Sequence, residues 1–521
     1  MDVLLINPKH GGLFPWGLLS LGSYLTKQVG MEVMLIDASV EGIEDTLQKI
    51  REHLPKTPLV GIGAMSSDTP FIKTIADMVK QEKPSCKVIV GGPHATLCPE
   101  QLAKYHHIDF VSYHEGEATV ATLCQEIRKN KPDLSQVPGL LFQTETNEFI
   151  RTPGQTVPFY DINYDLLSPK VRATFSDTIQ VLTGRGCSYK CTFCYNVVSG
   201  YKWRGRPVAD FIQEIQILVK NFDPKNIFFR DELFFIDRER ILQFITHYKK
   251  NNFHFNWWAS VRASDFRDQF VDDPLMKQLV EIGCRQLRIG VESGSEKTLK
   301  FIKKGIRVSH VHNTIKRLAP HPKVELMAGF MIGLPTEQYR DYQDTLNLIG
   351  WMVRHGSNIT IKGPYQYRVY PGGELFDQIT KEYPHFSLPN SLEEWANRYQ
   401  SHQGSNASEY DRNIEYPWVP SEHQYLVKNA FQMYQIAYQS NLSIKGIKKI
   451  LLWPCKISIR LRFRIGWYKN LWDVRLADWI YRFSLYHTLS HSPLLPILEK
   501  QLWYQKSKKS KFFAWLRDKI S

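Results

Sequence analysis

Cys187, Cys191 and Cys194 carry the most legible chemistry in this chain of 521 residues. They sit in Thr183-Gly184-Arg185-Gly186-Cys187-Ser188-Tyr189-Lys190-Cys191-Thr192-Phe193-Cys194, with three and then two residues between them. Three thiolates on so short a loop can wrap one face of a metal centre. A structural zinc site normally takes four protein ligands, whereas a catalytic site keeps one position open. No fourth cysteine is near, since Cys284 lies ninety residues on. Such a loop after a strand-like run, 178–182, suggests an iron–sulfur cluster with open coordination. The other cysteines (Cys86, Cys98, Cys124, Cys284, Cys455) are scattered, which suits buried thiols in a reducing compartment and not a disulfide framework.

The elements that must position this loop follow a repeated pattern. Ile227-Phe228-Phe229-Arg230-Asp231-Glu232, Trp257-Trp258-Ala259-Ser260-Val261-Arg262, Leu287 to Gly294 and Ala328 to Pro335 each run strand-like into a polar or glycine-bearing end. Helix-length sequence separates them, which predicts a full or partial βα barrel with its site at the strand carboxyl ends. Upstream, apolar runs at 3–6, 33–36, 59–62, 88–90 and 110–111 alternate with helix-like stretches. That alternation predicts a parallel, doubly wound sheet with a ligand beyond its carboxyl ends. Those ends carry Asn7, Gly63 to Ser67, Gly91-Gly92-Pro93-His94 and His114-Glu115-Gly116-Glu117. No G-x-G-x-x-G follows the first strand, which argues against a nicotinamide site.

The cysteine spacing, with Phe193 before the last cysteine, resembles the radical S-adenosylmethionine (SAM) superfamily. In that family three cysteines hold a 4Fe-4S cluster, SAM chelates the open iron, and reductive cleavage yields a 5′-deoxyadenosyl radical. The later segments look like strands of the cobalamin-dependent subgroup. Asp231-Glu232 and Phe234 resemble its acidic pair and aromatic, Arg262 ends the third strand, and Glu292-Ser293-Gly294 and Gly333-Leu334-Pro335 resemble its fourth- and fifth-strand motifs. The resemblance implies cofactor contacts at Phe193, Glu232, Arg262, Glu292 and Ser293. Glu292 is either a ribose ligand or a partner of Arg262 or Arg288, and Phe193 either flanks the adenine or packs under the loop. One departure is that Thr336-Glu337 follows Pro335, where the family often has Gly-Glu.

The resemblance covers roughly residues 1–400 and implies that the first domain binds cobalamin, through Asn7, Ser66, Gly91, Gly92, Glu115, Gly116 and Glu117. The usual Asp-x-His-x-x-Gly motif is absent. His10 and His94 are the candidate axial ligands, and the subgroup commonly holds cobalamin without either. The fold expected is α/β: a Rossmann-like cobalamin-binding domain at 1–140, a linker at 141–174, a radical SAM partial barrel at 175–400, and a mostly helical, basic region at 401–521. The implied activity is methyl transfer from methylcobalamin to an unactivated carbon, with flavodoxin or ferredoxin as reductant. Radical cyclases acting on porphyrin-type substrates share the architecture, and a cobalamin or cluster sensor is the non-catalytic alternative.

Charge separates the last region from the rest. Lys+Arg number 66 against 52 Asp+Glu, a net +14. Residues 443–521 hold 17 basic and 4 acidic side chains, leaving 49 and 48 for residues 1–442. Six of the 13 tryptophans lie in that tail. Residues 457–465 (ISIRLRFRI) alternate, which predicts a strand with one cationic face, and 471–485 read as an amphipathic helix. Lys506 to Trp515 form a basic-aromatic end. This composition suits peripheral contact with anionic lipid and a lipid-like substrate, better than nucleic acid. A solvated basic cap is the plain alternative. With no signal-peptide pattern at the start and no apolar run near ~18 residues, a cytoplasmic protein is expected, with any membrane contact at the inner face.

Overall fold

A computed structural model of the chain describes residues 1–8, 14–400, 414–439 and 447–489. His10 and the 506–515 segment lie outside the described residues. The chain divides into two compact units, residues 1–428 and 429–521.

The first unit begins with five parallel strands, β1 (Val3–Asn7), β2 (Val33–Asp37), β3 (Leu59–Gly63), β4 (Lys87–Gly91) and β5 (Phe110–Ser112), in the order 2-1-3-4-5. They are short and largely buried, as expected of a sheet covered by helices on both faces. The order reverses at β1 and β3, so the crevice for a ligand opens beyond Asn7 and Gly63. Two antiparallel strands, β6 (Leu140–Gln143) and β7 (Phe149–Arg151), extend this sheet past residue 140, into the stretch read as linker.

The barrel follows. β8 (Thr178–Val181) leads to a two-stranded ribbon, β9 (Gly184–Arg185) with β10 (Arg204–Gly205). Then come β11 (Asn226–Phe229), β12 (Asn256–Val261), β13 (Cys284–Glu292), β14 (Glu325–Ile332) and β15 (Ile359–Gln366). β8 and β11–β15 form one all-parallel sheet in the order 8-11-12-13-14-15, an open, partial barrel. β12, β13 and β14 alternate buried and half-buried along their length. Their buried residues face the helices, and the half-buried set (Ser260, Arg288, Gly290, Met327, Gly329) lines the interior.

The chain then returns to the first sheet. The helix Leu392–Gln400 packs on the helix Thr69–Glu82, and Leu392 is fully buried in the same core as Leu4, Val60 and Ile72. The carboxyl boundary expected for the barrel thus falls on an element that completes the other domain.

The second unit corrects a secondary-structure expectation. Residues 457–465 lie in a helix, Ile447–Ile465, not a strand. Leu452, Cys455, Ile459 and Phe463 recur at helical spacing and are buried, and that period overrides the alternation. The alternation had placed Arg462 on an open face. It is instead buried, donating to Asp473 at 2.8 Å and to the carbonyls of Trp467, Lys469 and Asn470. The next helix, Trp472–Leu489, packs against it.

Candidate active site

The cluster loop is built by glycine and by one buried carboxylate. Gly186 has φ +79, and a Cβ there would lie 2.1 Å from the Lys202 carbonyl oxygen, so only glycine fits. Asp231, at the end of β11, accepts from the Thr183 N–H (2.7 Å) and hydroxyl (2.6 Å), tying the start of the loop to the second barrel strand. Burial pushes its pKa up to about 7. The acidic pair thus divides its roles. Asp231 holds the backbone, while Glu232 faces the cavity and accepts from the Gly186 N–H at 3.2 Å.

All three cysteines line one cavity of about 370 Å³ at the strand carboxyl ends, together with Phe193, Glu232, Arg262 and Glu292. The volume falls in the range of small-molecule sites. Burial raises the Cys187 thiol and pushes Cys194 up to about 11. Thiols in that state are neutral at pH 7 and become thiolates when metal replaces the proton. Three cysteine donors on one wall fit a 4Fe-4S cluster.

Arg262 lies 3.5 Å from the centroid of the Tyr189 ring and donates to the Lys304 carbonyl. Glu292 is bonded to Lys304 at 2.8 Å, so its partner is neither Arg262 nor Arg288. Its φ of +71 is unusual for a residue with a side chain, and such strain concentrates at functional sites. Phe193 is half-buried, with the Lys304 ammonium 5.8 Å from its ring centre. Ser293 is corrected: it is fully buried behind the strand, and its hydroxyl is engaged with Thr345 (3.0 Å) and the Ser295 N–H (3.1 Å). A residue directly after a cavity-facing one points to the opposite side.

Tyr189, Asn196 and Lys304 were missed by sequence reasoning. Asn196 donates to the Cys187 carbonyl at 2.9 Å and accepts from Ser199 at 2.7 Å, bracing the loop from below. It lies two residues beyond Cys194, but a lone asparagine gives no pattern to find.

In the fifth-strand loop, Thr336 has φ +69, where the family's glycine would sit without cost. A β-branched residue there is strained by ~1–2 kcal/mol. Thr336→Gly is expected to stabilise the barrel by about 1 kcal/mol after the entropy of glycine is counted. A thermal midpoint raised by about 1 °C would show it, and a lowered midpoint would refute the strain. Glu337, fully buried, accepts from the N–H groups of Gly333 (2.7 Å) and Leu334 (2.9 Å) and closes the same loop.

At the first sheet the expected cofactor residues divide. Ser66, Gly91 and Gly116 border the crevice. The buried Ser112 hydroxyl there has no partner among the described residues. A Cβ on Gly116 would lie 3.3 Å from that oxygen, and one on Gly91 3.6 Å from the Ser112 Cβ. An unsatisfied hydroxyl between two glycines fits a large amide- and phosphate-bearing ligand such as cobalamin. Asn7 donates to Asp37 at 2.9 Å, bridging β1 to β2. Gly92, at φ +106, is needed because the β3 loop presses on it, the Ala64 oxygen being 3.0 Å from its Cβ position. His94 is buried edge-on against Trp395, with Nδ1 3.0 Å from the Ser66 hydroxyl, and burial lowers its pKa to about 4.

Glu117 is corrected as well, because an arginine from the cluster ribbon occupies its carboxylate, whereas Glu115 is engaged through one oxygen and its other oxygen has no hydrogen-bond partner among the described residues. Arg185 pairs with Glu117 (2.8 Å) and Glu115 (3.3 Å) and donates to Ser20 (2.6 Å) and Tyr160 (3.1 Å). Arg204 also pairs with Glu115. Two residues before Cys187, the barrel is therefore clamped to the first sheet.

A doubly wound sheet fitted for cobalamin, joined to a three-cysteine parallel barrel, defines a radical SAM enzyme with a cobalamin domain. The model of the B12 binding domain family matches residues 5–124, and that of the Radical SAM superfamily matches 181–349. An uncharacterized methyltransferase of Pyrococcus horikoshii, PH0819, is 30% identical over 372 residues, covering 70% of this chain and 78% of that one. The anaerobic magnesium-protoporphyrin IX monomethyl ester cyclase of a Synechocystis species is 26% identical, covering 62% and 67%. Among solved structures, the cobalamin-dependent radical SAM enzyme OxsB superposes with TM-score 0.65 at 18% identity, covering 89% and 72%. The methyltransferase TsrM of Kitasatospora setae superposes with TM-score 0.63 at 16% identity, covering 93% and 99%. The chain belongs to the cobalamin-dependent radical SAM enzymes of the methyltransferase group, whose cofactors are a 4Fe-4S cluster, SAM and cobalamin.

Proposed function

We propose that this enzyme methylates an unactivated carbon of a hydrophobic, lipid-like small molecule. The observation that carries the chemistry is the convergence of the three cysteines, Glu232 and the Glu292–Lys304 pair on one cavity. When bound, the cofactors supply the electron that cleaves SAM and the methyl group that is moved. The chain supplies placement. Cys187, Cys191 and Cys194 hold the cluster, Gly186 and Asn196 fix the shape of their loop, and Arg185 and Arg204 keep that loop against the cobalamin domain. The enclosing strands limit water around a reactive radical.

Anaerobically purified protein, reconstituted with iron, sulfide and cobalamin and supplied with a flavodoxin or ferredoxin system, is expected to form 5′-deoxyadenosine. It should also pass label from methyl-labelled SAM into an organic-extractable product of a lipid extract. 5′-Deoxyadenosine without labelled product would refute methylation, and cobalamin binding without 5′-deoxyadenosine would favour a sensor.

The lipid reading rests on the second unit. Trp453, Ile457, Leu461 and Ile465 recur every four residues on one helix and are exposed, with Trp453 63% and Ile465 61% accessible. Trp472, Leu476 and Trp479 form a second exposed stripe on the next helix. Arg460 and Arg464 are exposed beside the first stripe. Interfacial tryptophans with flanking cations suit an anionic membrane surface, at ~1 kcal/mol per basic residue. No helix among the described residues is long and apolar enough to cross a membrane. The protein is expected to float with anionic liposomes at low salt, less so at high salt, and the triple variant W453S/L461S/W472S to remain at the bottom. Equal flotation of the variant, or of a chain lacking 443–521, would refute the surface.

A further inference from the structure

The barrel interior holds more positive charge than its own carboxylates offset. Lys304 is paired with Glu292, and Arg262 stacks on Tyr189 and donates to the Lys304 carbonyl, its Nε having no partner among the described residues. Two further cavity-lining cations, Arg288 and Lys362, have no carboxylate within ion-pair distance among the described residues. Arg288 donates Nε to Gln286 Oε1 at 2.7 Å, and its guanidinium lies 4.2 Å from the Phe228 ring centre, which fixes its plane. The nearby carboxylate, Glu325, is taken by Gln286 and Thr360. Arg230 adds a like charge 5.2 Å from the Phe228 ring centre, and that charge, after burial, depresses the Arg288 pKa.

Arg288 on β13 and Lys362 on β15 line the same cavity, with β14 between them. Gly290, Gly329 and Lys362 share one row across β13–β15, and Arg288 occupies the next row down, opposite Met327. Gly329 leaves its part of that row open, a Cβ there meeting nothing closer than 3.7 Å, whereas the Glu292 carboxylate and the Lys304 ammonium lie over Gly290. Arg288 lies four residues before Glu292, about 13 Å along the strand at ~3.3 Å per residue. The side chains of the Glu292–Lys304 pair reach back over Gly290, so the pair borders the row above Arg288. Arg288 is half-buried without a counter-charge, a state that an incoming anion relieves, whereas Lys362 is exposed.

We infer that Arg288 and Lys362 form an oxyanion subsite for a carboxylate or phosphate on the methyl acceptor, so that the hydrophobic substrate is anionic at one end. The inference rests on the function proposed above. A guanidinium presents a flat fork that suits either oxyanion, and the lysine adds a mobile point charge from β15, two strands along the same sheet.

The test uses the reconstituted, SAM-loaded holoenzyme, titrated calorimetrically with inorganic pyrophosphate and with glutarate at constant ionic strength. One of the two probes is expected to saturate a single site, and the tighter one identifies the source as phosphate or carboxylate. R288Q and K362Q should each weaken that probe by at least about tenfold. R288K, which keeps the charge without the fork, should fall between. Undiminished binding in both variants, or no binding of either probe to the parent, would overturn the subsite. So would a tenfold rise in the KM for SAM in either variant, which would assign these cations to SAM. 5′-Deoxyadenosine formation without substrate is measured in parallel on the parent protein. Its absence would count against the enzyme reading itself, whereas its presence with no anion binding would count against the subsite alone.

Discussion

Cys191→Ala protein is expected to form no 5′-deoxyadenosine above the level of cluster-free protein. Cys191 is the middle cysteine of the three and is 6% exposed, on the wall of the cavity that Cys187 and Cys194 also line. No other cysteine among the described residues lines that cavity, so the lost thiolate has no replacement. Two thiolates cannot hold three irons, and the open position that binds SAM disappears with the cluster. Iron content after reconstitution should fall in parallel. The crevice at Ser66, Gly91 and Ser112 belongs to a different sheet, so cobalamin binding should persist and serve as the folding control. Retained SAM cleavage in this variant would refute the cluster assignment.

The second large effect is expected at Arg185, which does not line the cavity. Its guanidinium meets Glu117, Glu115, Ser20 and the Tyr160 hydroxyl, and Tyr160 itself donates to Glu117 at 2.6 Å. Glu117 is 5% exposed. Arg185→Ala would leave that carboxylate buried with only a phenol beside it, a loss of about 3–5 kcal/mol by the measure of broken buried pairs. The domains should then separate locally. Hydrogen exchange is expected to rise at 115–117, 159–160 and 183–186 and to stay unchanged in β12–β14. Adding Glu117→Gln removes the stranded charge and should recover part of the loss, a coupling that a double-mutant cycle measures. Arg185→Lys should recover less, because one ammonium cannot serve four partners in a fixed fork. Unchanged exchange in Arg185→Ala would mean the clamp carries no weight.

Arg185 also shows where sequence reading stops. The cysteine loop, the parallel barrel and the doubly wound sheet were legible because each rests on a local signal: thiol spacing, or β-branched runs separated by helix-length sequence. Glu115 and Glu117 sat at the right strand end for a ligand, and nothing local revealed an arginine seventy residues away. The β6–β7 ribbon escaped for another reason. Its strands have four and three residues, and the second is exposed throughout, so no burial pattern marks it. The helix 447–465 was misread because two periods coexist in ISIRLRFRI, and a buried Arg462–Asp473 pair decides between them. Within the site, Lys304 lies twelve residues past Glu292, and only the return of the chain brings the two charges together.

Leu392 carries a consequence for synthesis. The sheet of the first domain is complete at residue 151, yet its core includes Leu392, and Trp395 covers His94. At roughly 5–20 residues per second, the ribosome needs about 12–50 s more to deliver that helix. Until then the nascent sheet leaves the ribosome with a patch of its core open to water. The barrel must fold in the interval and then hand its last helix backwards, so the halves expressed as separate polypeptides would each lack part of the first domain.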